Sequence, residues 1–301
     1  MKPLSFWLWL RYRGEWLAVR ACFALIRVLG VDRASRWAGG AARAIGPLLP
    51  VSKVARTNLR LAFPEKSPRE IEAIVKGVWD NLGRTFAEYL FLDQIWGEGA
   101  EGEVPSKRIV YEGEDRFFAL RDDGKPALIF ACHLANWEIP AIGAARYNLE
   151  VSILFRPPSN PFVAEELLAH RSAKMGRLIP TRFGAAAGAL KVLEEGGHVA
   201  MLVDTHVHSG IQAPFFGRPA WTSIAFAKLA RRMQCPVHGA RVERLGGATF
   251  KATLSPAVPV PVTDDEEADI RALVFEINRI VEGWVRERPE QWNWLHNRWR
   301  P

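Results

Sequence analysis

The chain has 301 residues, of which 49% are hydrophobic and 24% are charged, so it has enough apolar residues for a sizeable core and is not a disordered protein. Its 40 Lys and Arg residues outnumber its 33 Asp and Glu residues, and the net charge of +7 predicts anionic partners such as a phospholipid surface, an acidic carrier protein, a phosphorylated substrate or nucleic acid. The three cysteines lie far apart in the sequence, which excludes a disulfide framework.

The N-terminal segment combines aromatic and basic residues. Arginines interrupt residues 4–31 too often for a signal peptide or for a membrane span of about 20 apolar residues. Arg13, Arg20 and Arg27 are seven apart and form one stripe on a helix, whereas the remaining surface is rich in Trp, Leu and Phe. This pattern predicts that residues 1–31 form an amphipathic helix in the membrane interface. The alternative is an amphipathic helix packed on its own domain, and a shallow or tilted insertion stays open.

Residues 32–301 are predicted to form a single α/β domain whose first part, 32–100, is helical. Ser67 is a predicted helix N-cap, because Pro68 follows at the first helical position and Glu70 completes a capping box.

Strands and helices alternate from about residue 108. Short, continuous apolar runs predict buried strands, and periodic segments separate them. The predicted strands are 126–132, 150–155, 198–203, 236–244 and 248–255, and the predicted helices are 137–147, 162–176, 185–195, 221–233 and 266–288. This alternation predicts a central, largely parallel mixed sheet flanked by helices.

A polar residue follows each of three predicted strands, namely His133, Arg156 and Asp204. Ligands of open α/β sheets bind beyond the carboxyl ends of the strands, so these residues are candidates for a site. Two prolines follow Arg156 and stiffen its loop, which suits a phosphate or a developing oxyanion, although a plain surface arginine is the alternative.

His133 is the candidate general base. Asn136 is a predicted N-cap, so Trp137 begins a helix and Glu138 falls in its first turn. That spacing lets the Glu138 carboxylate accept a hydrogen bond from the His133 imidazole and orient it to deprotonate a hydroxyl. The alternative is a structural histidine beside a capping glutamate.

The sequence contains no GxSxG nucleophile elbow, which favours activation of the substrate's own hydroxyl over a covalent intermediate.

A rival function is a metal-dependent, membrane-associated hydrolase that uses Asp204, His206 and His208. No helix-turn-helix, zinc-finger or RNA-binding signature is present, so nucleic acid is not an expected partner.

The closing segment 291–299 is either an extended tail or strand that packs three tryptophans on the core, or an aromatic rim at the level of the lipid headgroups.

Six segments, in this order, resemble the bacterial lipid A late acyltransferases, the lauroyl and myristoyl transferases of the lysophospholipid acyltransferase superfamily. They are "ARTNLRLAFPE" (55–65), "NLGRTFAEYL" (81–90), "ACHLANWE" (131–138), "FRPPSNP" (155–161), "APFFGRPAWTS" (213–223) and "PEQWNWLHNRW" (289–299). The resemblance implies a glycerolipid acyltransferase-like fold and an enzyme on the cytoplasmic face of the bacterial inner membrane. Such an enzyme moves a fatty acyl chain from acyl carrier protein to a hydroxyl of a glycolipid.

Under this resemblance His133 is the base and Glu138 its orienting partner. Arg156 and Asp204 match polar positions that line the family's cleft, and the amides after Asn136 are candidate oxyanion donors, so these three are the expected substrate-binding residues. No metal or organic cofactor is implied. One departure is Thr205, which stands where the family commonly has glutamine.

Overall fold

The computed structural model describes residues 5–97, 107–172, 175–181 and 184–299. Its first part is helical, as predicted. The helices are α1 (Phe6–Ile45), α2 (Ser52–Ala62), α3 (Pro68–Glu88) and α4 (Leu92–Trp96), with short 3₁₀ turns at Gly46–Leu48 and Tyr89–Phe91. The predicted capping box at the start of α3 is confirmed, since Ser67 accepts from the Glu70 main chain while the Glu70 side chain accepts from Ser67 N at 2.8 Å.

Helix α1 consists of two helical segments joined at Gly30, where φ is +70° and the backbone is not helical. It extends beyond residue 31, where the N-terminal helix was predicted to end. Several large apolar side chains of its first segment are exposed, including Trp7 (77%), Leu10 and Leu17, whereas Phe23 and Ile26 are buried. None of the helices in the described ranges is long and apolar enough to cross a membrane.

The arginines of the basic stripe predicted on α1 differ in their surroundings: one packs on the protein and another is exposed. Arg13 lies 4.3 Å from the ring centroid of Phe162, and Trp16 donates to Glu166 at 2.7 Å, so this side of α1 packs on the chain's own fold. Arg20 is exposed. The first segment of α1 therefore has one packed side and one open apolar side.

Seven strands of the described residues form one sheet, in the order β1-β9-β8-β2-β5-β3-β4, and all neighbours are parallel except β8 and β9. They are β1 (Ile109–Glu112), β2 (Ala127–Ala131), β3 (Val151–Phe155), β4 (Leu178–Pro180), β5 (His198–Leu202), β8 (Val237–Gly246) and β9 (Thr249–Leu254). The predicted mixed, largely parallel sheet is therefore confirmed. A separate hairpin pairs β6 (Ile211–Phe215) with β7 (Arg218–Thr222).

Helices cover both faces of the sheet. Alternate residues of β2 point to opposite faces, so their packing partners show which helices lie on each side. Leu128 and Phe130 pack with residues of α8, α9 and α10, whereas Ala127 and Ile129 pack with residues of α5 and α6. The helices of this part are α5 (Glu114–Asp122), α6 (Ile139–Arg146), α7 (Pro161–Ser172), α8 (Ala185–Glu194), α9 (Ala225–Met233) and α10 (Glu266–Glu287), followed by a 3₁₀ turn at Pro289–Gln291.

Several predicted details differ from the structure. The strands β1, β4, β6 and β7 were not predicted, and the helix predicted over 221–233 begins at Ala225 because residues 221 and 222 lie in β7. In the closing segment, Trp292 and Trp294 are fully buried, which confirms that these tryptophans pack on the core. That segment is not a strand, since it makes only an isolated bridge between Leu134 and Trp292.

Candidate active site

His133 and Asp204 meet at one edge of the sheet. They follow β2 and β5, which are adjacent parallel strands, so their carboxyl ends lie side by side. His133 Nδ1 lies 2.8 Å from Asp204 Oδ1, and the main-chain N–H of His133 donates to Oδ2 at 2.8 Å. The carboxylate thus holds both the ring and the backbone of the histidine.

The Asp204 side chain is fully buried, and its oxygens are satisfied by protein donors. Besides the two bonds from His133, the indole Nε1 of Trp292 donates to Oδ2 at 2.7 Å. Burial by itself would raise the pKa of Asp204, but attraction to His133 and the hydrogen bonds from His133 outweigh burial and hold that pKa well below its usual range. Asp204 is therefore an anion at neutral pH, so it accepts the proton of Nδ1 and leaves Nε2 as the basic nitrogen.

A cavity of about 670 Å³ adjoins His133, between the sheet and helices α5 and α6. This volume is within the range of about 300–1,000 Å³ that is usual for ligand sites. Small side chains leave the space open, and they are Ala131, Ala141, Ala144, Ala200, Ala240 and Ala252. Aliphatic and aromatic side chains form most of the remaining wall, so the cavity suits a long apolar group.

Polar residues form a minor part of this wall, and three predicted site residues are among them, namely His133, Glu138 and Arg156. Glu138 is mostly buried and is the N-cap residue of α6. Arg156 follows β3 and is exposed. The structure therefore brings these three residues to one cavity.

The predicted role of Asn136 as a helix N-cap is wrong, because α6 begins at Ile139. Asn136 is fully buried; its Nδ2 donates to Glu88 at 3.0 Å, and its Oδ1 accepts the Glu138 N–H at 3.3 Å. Asn136 is absent from the described wall of the cavity, as is the Asp204 carboxylate, which lies behind His133. The substrate-binding roles predicted for these two residues therefore have no direct counterpart in the geometry.

Sequence reasoning did not assign Trp292 and His296 to the site. His296 is partly buried, its Nε2 lies 3.3 Å from the main-chain oxygen of Asp204, and its ring centroid is 6.4 Å from that of His133. Burial lowers the pKa of His296, which favours a neutral ring beside His133. The only sequence signal for either residue was their place in the aromatic closing segment.

The structure does not support the rival metal site. The His206 and His208 rings contact each other edge to face at 5.2 Å, while the Asp204 carboxylate is already bound by His133 and Trp292. Among the residues that the structure describes, no group of three or more His, Cys, Asp or Glu side chains is arranged to hold a metal ion.

Fold and site together define the class of protein: an α/β fold with an imidazole–carboxylate pair beside a large apolar cavity, suited to chemistry on a substrate with a long apolar part. A family model described as bacterial lipid A biosynthesis acyltransferase matches residues 5–301. The chain belongs to this family, and so to the acyltransferases of lipid A biosynthesis.

Individual relatives agree with this membership. The chain is similar to the lipid A biosynthesis myristoyltransferase of Escherichia coli (strain K12), with 25% identity over 95% of this chain and 86% of the relative. It is equally similar to lipid A biosynthesis acyltransferase 1 of Shigella flexneri, with 25% identity over the same shares. Identity with the E. coli lipid A biosynthesis lauroyltransferase is 24% over 98% of this chain and 92% of the relative.

Proposed function

We propose that the protein transfers a fatty acyl chain from acyl carrier protein to a hydroxyl of a lipid A precursor or a related glycolipid, with His133 as general base. The observation that carries the proposal is the His133–Asp204 pair beside the 670 Å³ apolar cavity. Family membership supports the reaction class.

In the proposed reaction, His133 Nε2 removes the proton of the acceptor hydroxyl, and the resulting oxygen nucleophile attacks the thioester carbonyl carbon. The tetrahedral intermediate collapses, the carbon–sulfur bond breaks, and the imidazolium returns its proton to the leaving thiolate. Asp204 stabilises the imidazolium, because its buried carboxylate already accepts the hydrogen bond from Nδ1.

Glu138 and Arg156 have proposed roles on the cavity side of His133. Since Asp204 binds Nδ1, Glu138 acts as a second carboxylate that orients the ring or the acceptor hydroxyl from the cavity. Arg156 is an exposed cation that suits the thioester oxyanion or a phosphate of the acceptor. Main-chain amides that follow Asn136 are further candidates for oxyanion donors.

The proposed location is the cytoplasmic face of the bacterial inner membrane. The open apolar side of α1 carries exposed Trp7, Leu10 and Leu17, which suit insertion among lipid headgroups. The net charge of +7 favours both an anionic membrane and an acidic carrier protein. A substrate that stays in the bilayer would thus meet the cavity at the membrane surface.

The test is an assay of the purified protein with acyl carrier protein charged with a fatty acid and a lipid A precursor in mixed micelles, with mass spectrometry of the product. We expect one added acyl group, and we expect His133→Ala to reduce the rate by about 10²- to 10⁴-fold while leaving the circular dichroism spectrum unchanged. An absence of acylated product from the wild-type protein, or full activity in His133→Ala, would contradict the proposal. Retention of activity in chelator would argue further against a metal hydrolase.

A further inference from the structure

Three buried polar residues, Asn81, Thr85 and Glu88, lie on one face of α3 at positions i, i+4 and i+7. Polar side chains in a protein interior are unfavourable unless each one is hydrogen-bonded. The partners of these three residues therefore indicate what this face of α3 does.

Two of them hold the loop that carries His133. Asn81 Nδ2 and Thr85 Oγ1 both donate to the main-chain oxygen of Ala135, each at 3.1 Å. Ala135 has a φ of +50°, in the left-handed region that alanine adopts only when its surroundings maintain it. Because Ala135 lies between His133 and Glu138, the two donors from α3 determine how both side chains leave the loop.

Asn81 also holds the segment that reaches Asp204. Its Nδ2 donates to the main-chain oxygen of Gln291 at 3.1 Å, and the Ala135 N–H donates to that same oxygen at 2.9 Å. The next residue is Trp292, whose indole binds Asp204. A single amide on α3 therefore connects the loop of His133 with the segment that supports its carboxylate partner.

Glu88 and Arg244 hold Asn81 and the loop of His133 in place on the side away from the cavity. Arg244 Nη2 donates to Glu88 at 3.0 Å, and Arg244 Nε donates to Asn81 Oδ1 at 3.0 Å. Glu88 also accepts from Ser35 Oγ at 2.7 Å and from Asn136 Nδ2 at 3.0 Å. A buried ion pair is a weak source of stability because of its desolvation, but its hydrogen bonds impose a definite geometry.

We infer that Asn81, Thr85 and Glu88, braced by Arg244, are positioning residues that set His133 and Asp204 relative to each other and to the cavity. The inference rests on the proposed function for its kinetic consequence. In the described part of the chain the cavity wall contains none of these four residues, so they act through the loop and not on the substrate.

Thr85→Val tests the inference, because it keeps the shape of the side chain and removes the hydroxyl, which donates to Ala135 and accepts from Arg244 Nη2 at 3.3 Å. Ser52→Ala is the matched control: Ser52 is also buried and donates to a main-chain oxygen, that of Gly46 at 2.7 Å, away from the loop. Both variants lose one hydroxyl that donates to a main-chain oxygen and accepts one side-chain bond, which comes from Arg244 at Thr85 and from Trp79 Nε1, at 2.8 Å, at Ser52. We expect only Thr85→Val to lower kcat, by roughly 10- to 100-fold with little change in KM, and Thr85→Ser to restore it.

A second measurement does not depend on activity. In protein labelled with ¹⁵N-histidine, the ring nitrogen signals of His133, identified by their loss in His133→Ala, report its tautomer and its pKa. We expect these signals to move in Thr85→Val and to stay in place in Ser52→Ala. We expect the same shift from Asn136→Ala, which removes the hydrogen bond between Glu88 and the loop, and this variant replaces Thr85→Val should that variant fail to fold.

The outcomes separate the two proposals. A moved His133 signal in a protein without acyl transfer would support the positioning role and refute the proposed function. Kinetics and His133 signals that are the same in Thr85→Val as in Ser52→Ala would overturn the positioning role, whatever the activity of the wild-type protein.

Discussion

Trp292 donates its indole N–H to Asp204 at 2.7 Å across 88 residues of sequence. The closing segment is therefore part of the candidate site, since the oxygen that it binds also accepts the main-chain N–H of His133.

Trp292→Phe retains an aromatic ring and removes this donor. We expect a lower free energy of unfolding, by about 1–3 kcal/mol, together with a lower kcat, because the buried Asp204 anion loses one of its three donors and its Oδ2 keeps only the main-chain N–H of His133. Trp294→Phe is the control, since Trp294 is equally buried and donates to Pro289 O at 2.7 Å, with no bond to Asp204. Urea denaturation and steady-state kinetics measure both effects. Equal kcat values in the two variants would separate Trp292 from catalysis.

The two carboxylates near His133 are distinguished by Asp204→Asn and Glu138→Gln. Asp204→Asn keeps the shape of the side chain but removes the anion that binds Nδ1, so we expect kcat to fall by about 10²- to 10⁴-fold. We expect a smaller loss for Glu138→Gln. Rates from single-turnover acyl transfer make the comparison, and a larger loss in Glu138→Gln would assign the orienting role to Glu138, as the sequence predicts.

Asp204 also gives the stability of the protein a pH dependence. Its pKa in the folded protein is lower than the unfolded value of about 3.9, so the folded state favours the anion. The stabilisation is complete well above that value and is lost as the pH falls through the lower folded pKa. We expect the difference in free energy of unfolding between wild type and Asp204→Asn to be largest near neutral pH and to shrink below about pH 4. A difference that does not vary with pH in urea denaturation would contradict this assignment.

The open side of α1 predicts binding to lipid vesicles. Replacing Trp7 and Leu10 by serine removes two exposed apolar side chains, and we expect vesicle affinity to fall by at least about tenfold, given roughly 1.5–3 kcal/mol for burial of one such side chain. The matched control replaces Leu245 and Val262, which are exposed to a similar degree as Leu10, by serine. Sedimentation with anionic vesicles measures binding. Equal losses in both double variants would exclude α1 as the specific contact.

Much of the fold follows from hydrophobic patterning, because buried parallel strands are short apolar runs with helices between them. The same pattern located His133 and Arg156, since polar residues that follow parallel strands collect at one edge of the sheet. The hairpin was missed because Pro214 and Pro219 argue against strands; in the structure they face each other in a separate two-stranded unit, where no central ladder is interrupted.

The carboxylate that binds the His133 ring could not be predicted from the pattern of strands and helices. Glu138 was favoured by its nearness in sequence, whereas the bond to Asp204 depends on β5 lying next to β2, and sequence order does not specify that adjacency. The start of α6 was predicted two residues early for a related reason. Asn136 has the composition of an N-cap, but its side-chain amide is drawn to Glu88 on a distant helix.

The alanines in the cavity wall determine the volume of the cavity, whereas other residues provide the proposed chemistry. The apolar space beside His133 exists because six side chains of its wall end at Cβ, while His133 and Asp204 follow strand ends and are fixed by hydrogen bonds. Under the proposed function, we expect a larger side chain at one of these alanines to shorten the acyl chain that fits and to leave the His133–Asp204 hydrogen bond in place. The proposed function therefore allows selectivity for the donor to diverge within this fold while the chemical step stays the same.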